Sequence, residues 1–231
     1  MRYILVVVSL LIIASACNRV KDVIPPHTDT IFPLEVGKSW TYLVIDTTWA
    51  VGNPPRSIVD VYYKRETITG TETDLLGREV YRLETFRTAD TLNGMSDFEP
   101  MRAGYLYRGN EYGERFMNNK RRLVLKWPVY NDIQWNGNLY VGNPEHNEQY
   151  RYRNIDTTVT VLGTNYAQSV WVAHSLPSDA ISQIKNRVAY EVYSAEKGRI
   201  LSYDRTFVMD QSDPTPFNPD DSYTHIEMLI E

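Results

Sequence analysis

A chain of 231 residues with 42% hydrophobic and 23% charged side chains can bury a full core, which excludes a disordered polymer. Its 24 Lys+Arg against 29 Asp+Glu leave a net charge of −5, which argues against nucleic acid as a partner. One cysteine excludes a disulfide framework and an all-cysteine zinc site, while 17 Tyr and 5 Trp suit β-sheets.

The chain opens with Arg2 and an apolar run from Tyr3 to Ala14. That run is shorter than the roughly 20 residues a membrane span needs and has the length of a signal-peptide core. Ala14-Ser15-Ala16-Cys17 follows. Ala14 and Ala16 also satisfy an ordinary signal-peptidase site. The only cysteine of the chain, however, stands at the position a lipobox requires. Residues 1–17 thus resemble bacterial lipoprotein signals. The resemblance implies a signal peptide over 1–16 and lipidation of Cys17, with two or more acyl chains giving stable anchorage. Loss of residues 1–16 removes Arg2 and no acid, leaving 23 basic and 29 acidic side chains. The expected partner is therefore a membrane held through acyl chains rather than through charge. Asn18, where an Asp would favour the inner membrane, points to the outer membrane of the cell envelope.

Residues 17–31, with Pro25-Pro26 and no apolar period, read as the lipidated N-terminus and a tether. From Phe32 onward period-2 alternation dominates. It groups Trp40, Tyr42 and Val44; Val59, Val61 and Tyr63; Leu123, Leu125 and Trp127; Val159 and Val161; Val170 and Val172; Val188, Tyr190 and Val192; and Ile226, Met228 and Ile230. Turn signals such as Asn93-Gly94, Gly163-Thr164-Asn165 and Lys197-Gly198 separate these sets. One short helix is expected from Ala180 to Arg187, capped by Ser178 or Asp179. Asp210 to Asp221 reads as a surface loop. Its acids match no EF-hand spacing, and no metal or cofactor is assigned. The expected fold is mainly β: an antiparallel meander over residues 32–231 forming a curved sheet, half-barrel or sandwich.

Phe32-Pro33-Leu34 precedes Trp40 as Trp127-Pro128-Val129 precedes Trp135, with Pro and Trp seven residues apart in both. Ile45-Asp46-Thr47-Thr48 recurs as Ile155-Asp156-Thr157-Thr158. These echoes suggest two related halves, 32–126 and 127–231; the competing account is one β-corner solution reached twice. Pro33, Leu34, Gly37, Trp40 and Tyr42, followed by Pro128 and Trp135, by Val159, Val161, Gly163 and Thr164, and by Tyr193, Gly198 and Ile200, resemble a family of bacterial secreted proteins and lipoproteins of unknown function. Asp132 and Asn165 depart from its pattern. The resemblance implies an antiparallel β domain and no activity.

None of His27, His146, His174 and His225 forms a metal-binding pair, and nucleophile-elbow and phosphate-loop motifs are absent. The segment Trp127 to Asn143 is the candidate ligand site, through Trp127, Tyr130, Trp135 and Tyr140 beside several amides. The competing reading makes Trp127 and Trp135 core plugs. Asp-Thr followed by a small or aliphatic residue resembles an O-glycosylation signal of Bacteroidetes-type bacteria, which makes Thr30, Thr47, Thr91 and Thr157 candidate acceptors. The sequence favours a non-enzymatic, lipid-anchored binding or structural module contacting another envelope protein or a small ligand. The alternatives are a carrier or sensor of a hydrophobic or glycan ligand in a half-barrel cleft, and a hydrolase with an unrecognised carboxylate pair.

Overall fold

A computed structural model describes residues 28–50, 56–88, 97–140, 148–175, 185–209 and 217–230. The signal peptide, Cys17, Thr91 and residues 180–184 lie outside them. A single helical turn, α1 (Thr28–Ile31), precedes twelve strands: β1 (Ser39–Ala50), β2 (Arg56–Thr73), β3 (Glu79–Thr88), β4 (Glu99–Arg108), β5 (Tyr112–Met117), β6 (Lys120–Lys126), β7 (Gln134–Asn136), β8 (Gln149–Val161), β9 (Thr164–Ser175), β10 (Lys185–Ser194), β11 (Gly198–Met209) and β12 (Phe217–Leu229). Stretches such as Trp-Thr-Tyr-Leu-Val-Ile in β1 are the aromatic and β-branched runs that fit a pleated, half-buried surface.

All twelve strands form one antiparallel sheet in the order β6-β5-β4-β3-β2-β1-β12-β11-β10-β9-β8-β7. The chain is thus a meander whose first and last strands pair, Val44 opposite Glu227, and whose two free edges are β6 and β7. The edges meet. Leu123 N–H donates to Gly137 O at 2.8 Å, and the Trp135 indole donates to Leu123 O at 2.7 Å. The Tyr152 hydroxyl accepts from Lys126 N–H and donates to Lys126 O. These bonds occupy groups that an open edge would expose, and the sheet becomes a nearly closed barrel. Gly137 is required here, because a Cβ on it would lie 2.4 Å from the buried Tyr150 ring.

One end of the barrel is stoppered by the segment after α1. Ile31, Phe32 and Leu34 are buried. Arg108 donates to Phe32 O, Glu196 N–H to Thr30 O, and the Trp40 indole to Lys197 O. The expected tether is corrected on this point: residues 28–31 are docked, with Ile31 fully buried in the core cluster and Thr30 O accepting from Glu196 N–H.

Three faces are inverted relative to the sequence reading. On β2 the buried row is Tyr62, Lys64, Glu66 and Ile68, while Val59 and Val61 are exposed. On β12 Glu227 and Leu229 face inward, and on β10 Ala189, Glu191 and Tyr193 do, with a register shift bringing Val192 into the core. The cause is that the interior is partly filled by paired charges, so hydropathy alternation marks the outer side.

Two further expectations change. Lys185 to Arg187 begin strand β10 instead of ending a helix, and residues 217–221 of the expected loop belong to β12, with Asn218 opposite Val208. Trp40 and Trp135 are each the second residue of their strands, β1 and β7, six strands apart around the barrel. The Ile-Asp-Thr-Thr match falls instead on β1 and β8, which are not six apart.

Candidate functional site

Alternation on β2, β10, β11 and β12 delivers ionisable side chains to the barrel interior. Glu66 Oε1 takes Lys64 Nζ at 2.9 Å, Arg115 Nη2 at 2.5 Å and Arg199 Nη2 at 3.4 Å. Glu227 Oε2 takes Arg199 Nη2 at 2.5 Å and contacts Lys64, while its Oε1 lies 2.9 Å from His225 Nε2. Glu191 takes Arg199 Nη1 at 3.1 Å and the Tyr193 hydroxyl at 2.7 Å, with His174 at 3.7 Å. His225 Nδ1 meets Asp46 Oδ1 at 2.5 Å, and Tyr62 donates to Asp46. Lys64, Arg115, Arg199 and protonated His225 thus balance Glu66, Glu191, Glu227 and Asp46, four against four.

The electrostatics follow from this enclosure. Burial opposes ionisation of Glu66, but Arg115, Lys64 and Arg199 outweigh it and hold the carboxyl well below its ordinary value. Burial likewise opposes charge on Glu227, where Lys64 and Arg199 prevail, and on Glu191, where Arg199 and the Tyr193 hydroxyl do. Burial lowers Lys64 despite its two carboxylate partners. It also lowers His174, whose ring stacks on Tyr150 at 3.9 Å and stays neutral. His225 goes the other way: burial is outweighed by its bonds to Asp46 and Glu227, and its pKa rises to about 9. Among the described residues, every carboxylate displaced from its ordinary value moves downward, so none of these is held protonated as a general acid would be. The void under the Phe32 stopper, beside Trp40, Tyr42 and Arg199, is only about 30 Å³, room for about one water.

A larger concavity lies on the outer side at the stoppered end. A groove of about 560 Å³ runs between the β2–β3 turn and strands β4 and β5, lined by Leu75, Leu76, Val80, Tyr105, Tyr107 and Phe116. It continues into a second hollow of about 410 Å³ reaching Asn110, Tyr112 and Tyr140. Both share Arg78, Glu114 and Arg121. Glu114 is buried and gripped in bidentate fashion by Arg121 at 2.8 and 2.7 Å, with Arg78 at 3.2 Å. Each arginine also covers a ring: Arg78 lies 4.1 Å from the Tyr107 centroid and Arg121 3.8 Å from that of Tyr140. The floor is therefore a rigid polar bar set in aromatic and aliphatic walls.

The sequence-chosen ligand residues separate. Trp127 and Trp135 are buried, and their indoles donate to Gly109 O and Leu123 O. Trp135 packs on Tyr150 and Tyr152, serving the seam. Tyr130 is exposed outside the groove lining, whereas Tyr140 lines the second hollow. Of the candidate acceptors, Thr30 lies in α1, Thr47 on β1 and Thr157 on β8, where its hydroxyl donates to Asn154 O. Sequence reasoning missed Arg78, Glu114, Arg121, Tyr105 and Tyr107. Their one signal was Asp74-Leu75-Leu76-Gly77, a tight turn bearing two leucines. Among the described residues, no group of three His, Cys, Asp or Glu is placed to hold a metal ion, and no helix is long and apolar enough to cross a membrane. No family model, curated protein or solved structure matches this chain.

Proposed function

We propose that this chain is a lipid-anchored binding module of the cell envelope, without enzymatic activity, and that its ligand lies in the groove over Arg78, Glu114 and Arg121. The observation that carries this reading is the contrast between the hollow of about 30 Å³ beneath the Phe32 stopper and an outer groove of about 560 Å³. A pocket with apolar walls and a few fixed polar groups suits an amphipathic molecule, its apolar body against Tyr105, Tyr107 and Phe116 and its head against the arginine–glutamate bar. The paired charges of Lys64, Glu66, Arg199 and Glu227 inside the barrel weigh against a carrier that would enclose an apolar cargo there. The downward-shifted carboxylates weigh against acid catalysis.

Octyl glucoside below its micellar concentration is a suitable probe, since it joins an alkyl chain to a sugar head. Calorimetric titration should detect binding to the wild type and at least about tenfold weaker binding to Tyr107→Ala, while glucose alone should bind far less. Equal affinities of the wild type and Tyr107→Ala contradict the groove assignment. Anchorage is read separately: radiolabelled palmitate should enter the wild type and not Cys17→Ser.

A further inference from the structure

Resting on that anchored reading, we propose that the stoppered end of the barrel lies against the bilayer, with Val36, Leu75, Leu76, Tyr130 and Leu162 as apolar tips in the lipid interface. The topology gathers them there. In this meander, the start of β1 shares its end with the turns after β2, β4, β8 and β10 and with the β6–β7 connection. The bonds from Lys38 to Glu196 O, from Trp40 to Lys197 O and from Trp127 to Gly109 O tie that end together.

Turns are normally built from Gly, Asn, Asp, Ser and Pro. These are not. Asp74 Oδ1 accepts from both Leu76 N–H and Arg78 N–H at 2.9 Å, and Gly77 takes a φ of +74°, so a stiff turn holds Leu75 and Leu76 outward, 105% and 67% exposed. At the β8–β9 turn Leu162 sits at φ +49° before Gly163 at +84°, in the left-handed region that favours Asn or Gly. Leu162 is half-exposed in this strained position. Strain maintained to display an apolar side chain to water points to function.

A bilayer is the occupant because of where the chain leads. The ten residues between Cys17 and Thr28 can reach at most about 35 Å, and the segment they precede, Thr28–Ile31, is bonded at this end through Thr30 O. The acidic mature chain gains little from lipid charge, so apolar insertion is the available contact. The groove shares Leu75 and Leu76 with this rim, and its mouth then opens beside the lipid.

The test uses the chain from Cys17 onward, its single thiol coupled to a maleimide lipid in phosphatidylcholine vesicles with brominated acyl chains. Leu75→Trp is compared with Ile58→Trp, which is also exposed but stands toward the far end of β2. With the parent signal subtracted, Leu75→Trp should lose at least about half its emission and Ile58→Trp almost none, at low and high salt alike. Equal quenching of the two, or none at Leu75→Trp, overturns the docking. An unacylated Cys17 in the intact mass of membrane-extracted protein overturns the anchoring reading instead.

Discussion

At the scale of single residues, the two tryptophans that follow proline by seven positions do similar work. Each is buried, and each indole N–H reaches a backbone carbonyl, Lys197 O for Trp40 and Leu123 O for Trp135. Truncation leaves a cavity and an orphaned carbonyl, so Trp40→Ala and Trp135→Ala should each cost about 3–5 kcal/mol in urea melts. A Trp135→Ala midpoint equal to wild type contradicts the seam role. Leu162 should behave oppositely. Leu162→Asn suits the left-handed backbone and should raise stability by about 0.5–1 kcal/mol in the same assay. If docking uses this tip, that gain will be accompanied by weaker vesicle contact, the usual conflict between stability and function.

At the scale of strands, period-2 alternation located the elements but chose the wrong face on β2, β10 and β12. Val59, Val61 and Tyr63 looked like the core row of β2, yet the row that packs is Tyr62, Lys64, Glu66 and Ile68. Hydropathy assumes an apolar interior, and it cannot foresee that Lys64 will find Glu227, 163 residues away in sequence. Long-range charge balance is the property that a single strand does not display. Such pairs are costly to break singly: Lys64→Met removes a cation from two buried carboxylates and should cost about 3–5 kcal/mol. The network also sets the pH profile. The depressed carboxyls contribute stability above about pH 4.5 that is lost as pH falls. Neutral His174 opposes folding as pH drops below 6.5, its ordinary value. His225, raised to about 9, contributes fully below 6.5 and loses that contribution as pH rises through 9. Thermal melts should therefore peak near pH 6.5, and His225→Gln should flatten the arm between 6.5 and 9. An unchanged alkaline arm contradicts the assigned role of His225.

At the scale of the whole molecule, a meander of twelve strands closes on itself because β6 is met by Trp135 of β7, Gly137 O just beyond it and Tyr152 of β8. The interior holds the buried charge cluster, and the groove lies on the outer side. The candidate site was therefore hard to read: of Trp127, Tyr130, Trp135 and Tyr140, only Tyr140 lines it, and the residues that build its floor come from the β2–β3 turn, β5 and β6, whose adjacency no local pattern announces. Methyl-resolved NMR of the protein titrated with octyl glucoside tests this division most directly. The Leu75, Leu76 and Val80 methyls should shift along a saturable curve while those of Val44 and Leu229, inside the barrel, stay still. Interior methyls that shift while the groove methyls remain silent would place the ligand in the barrel and contradict the account.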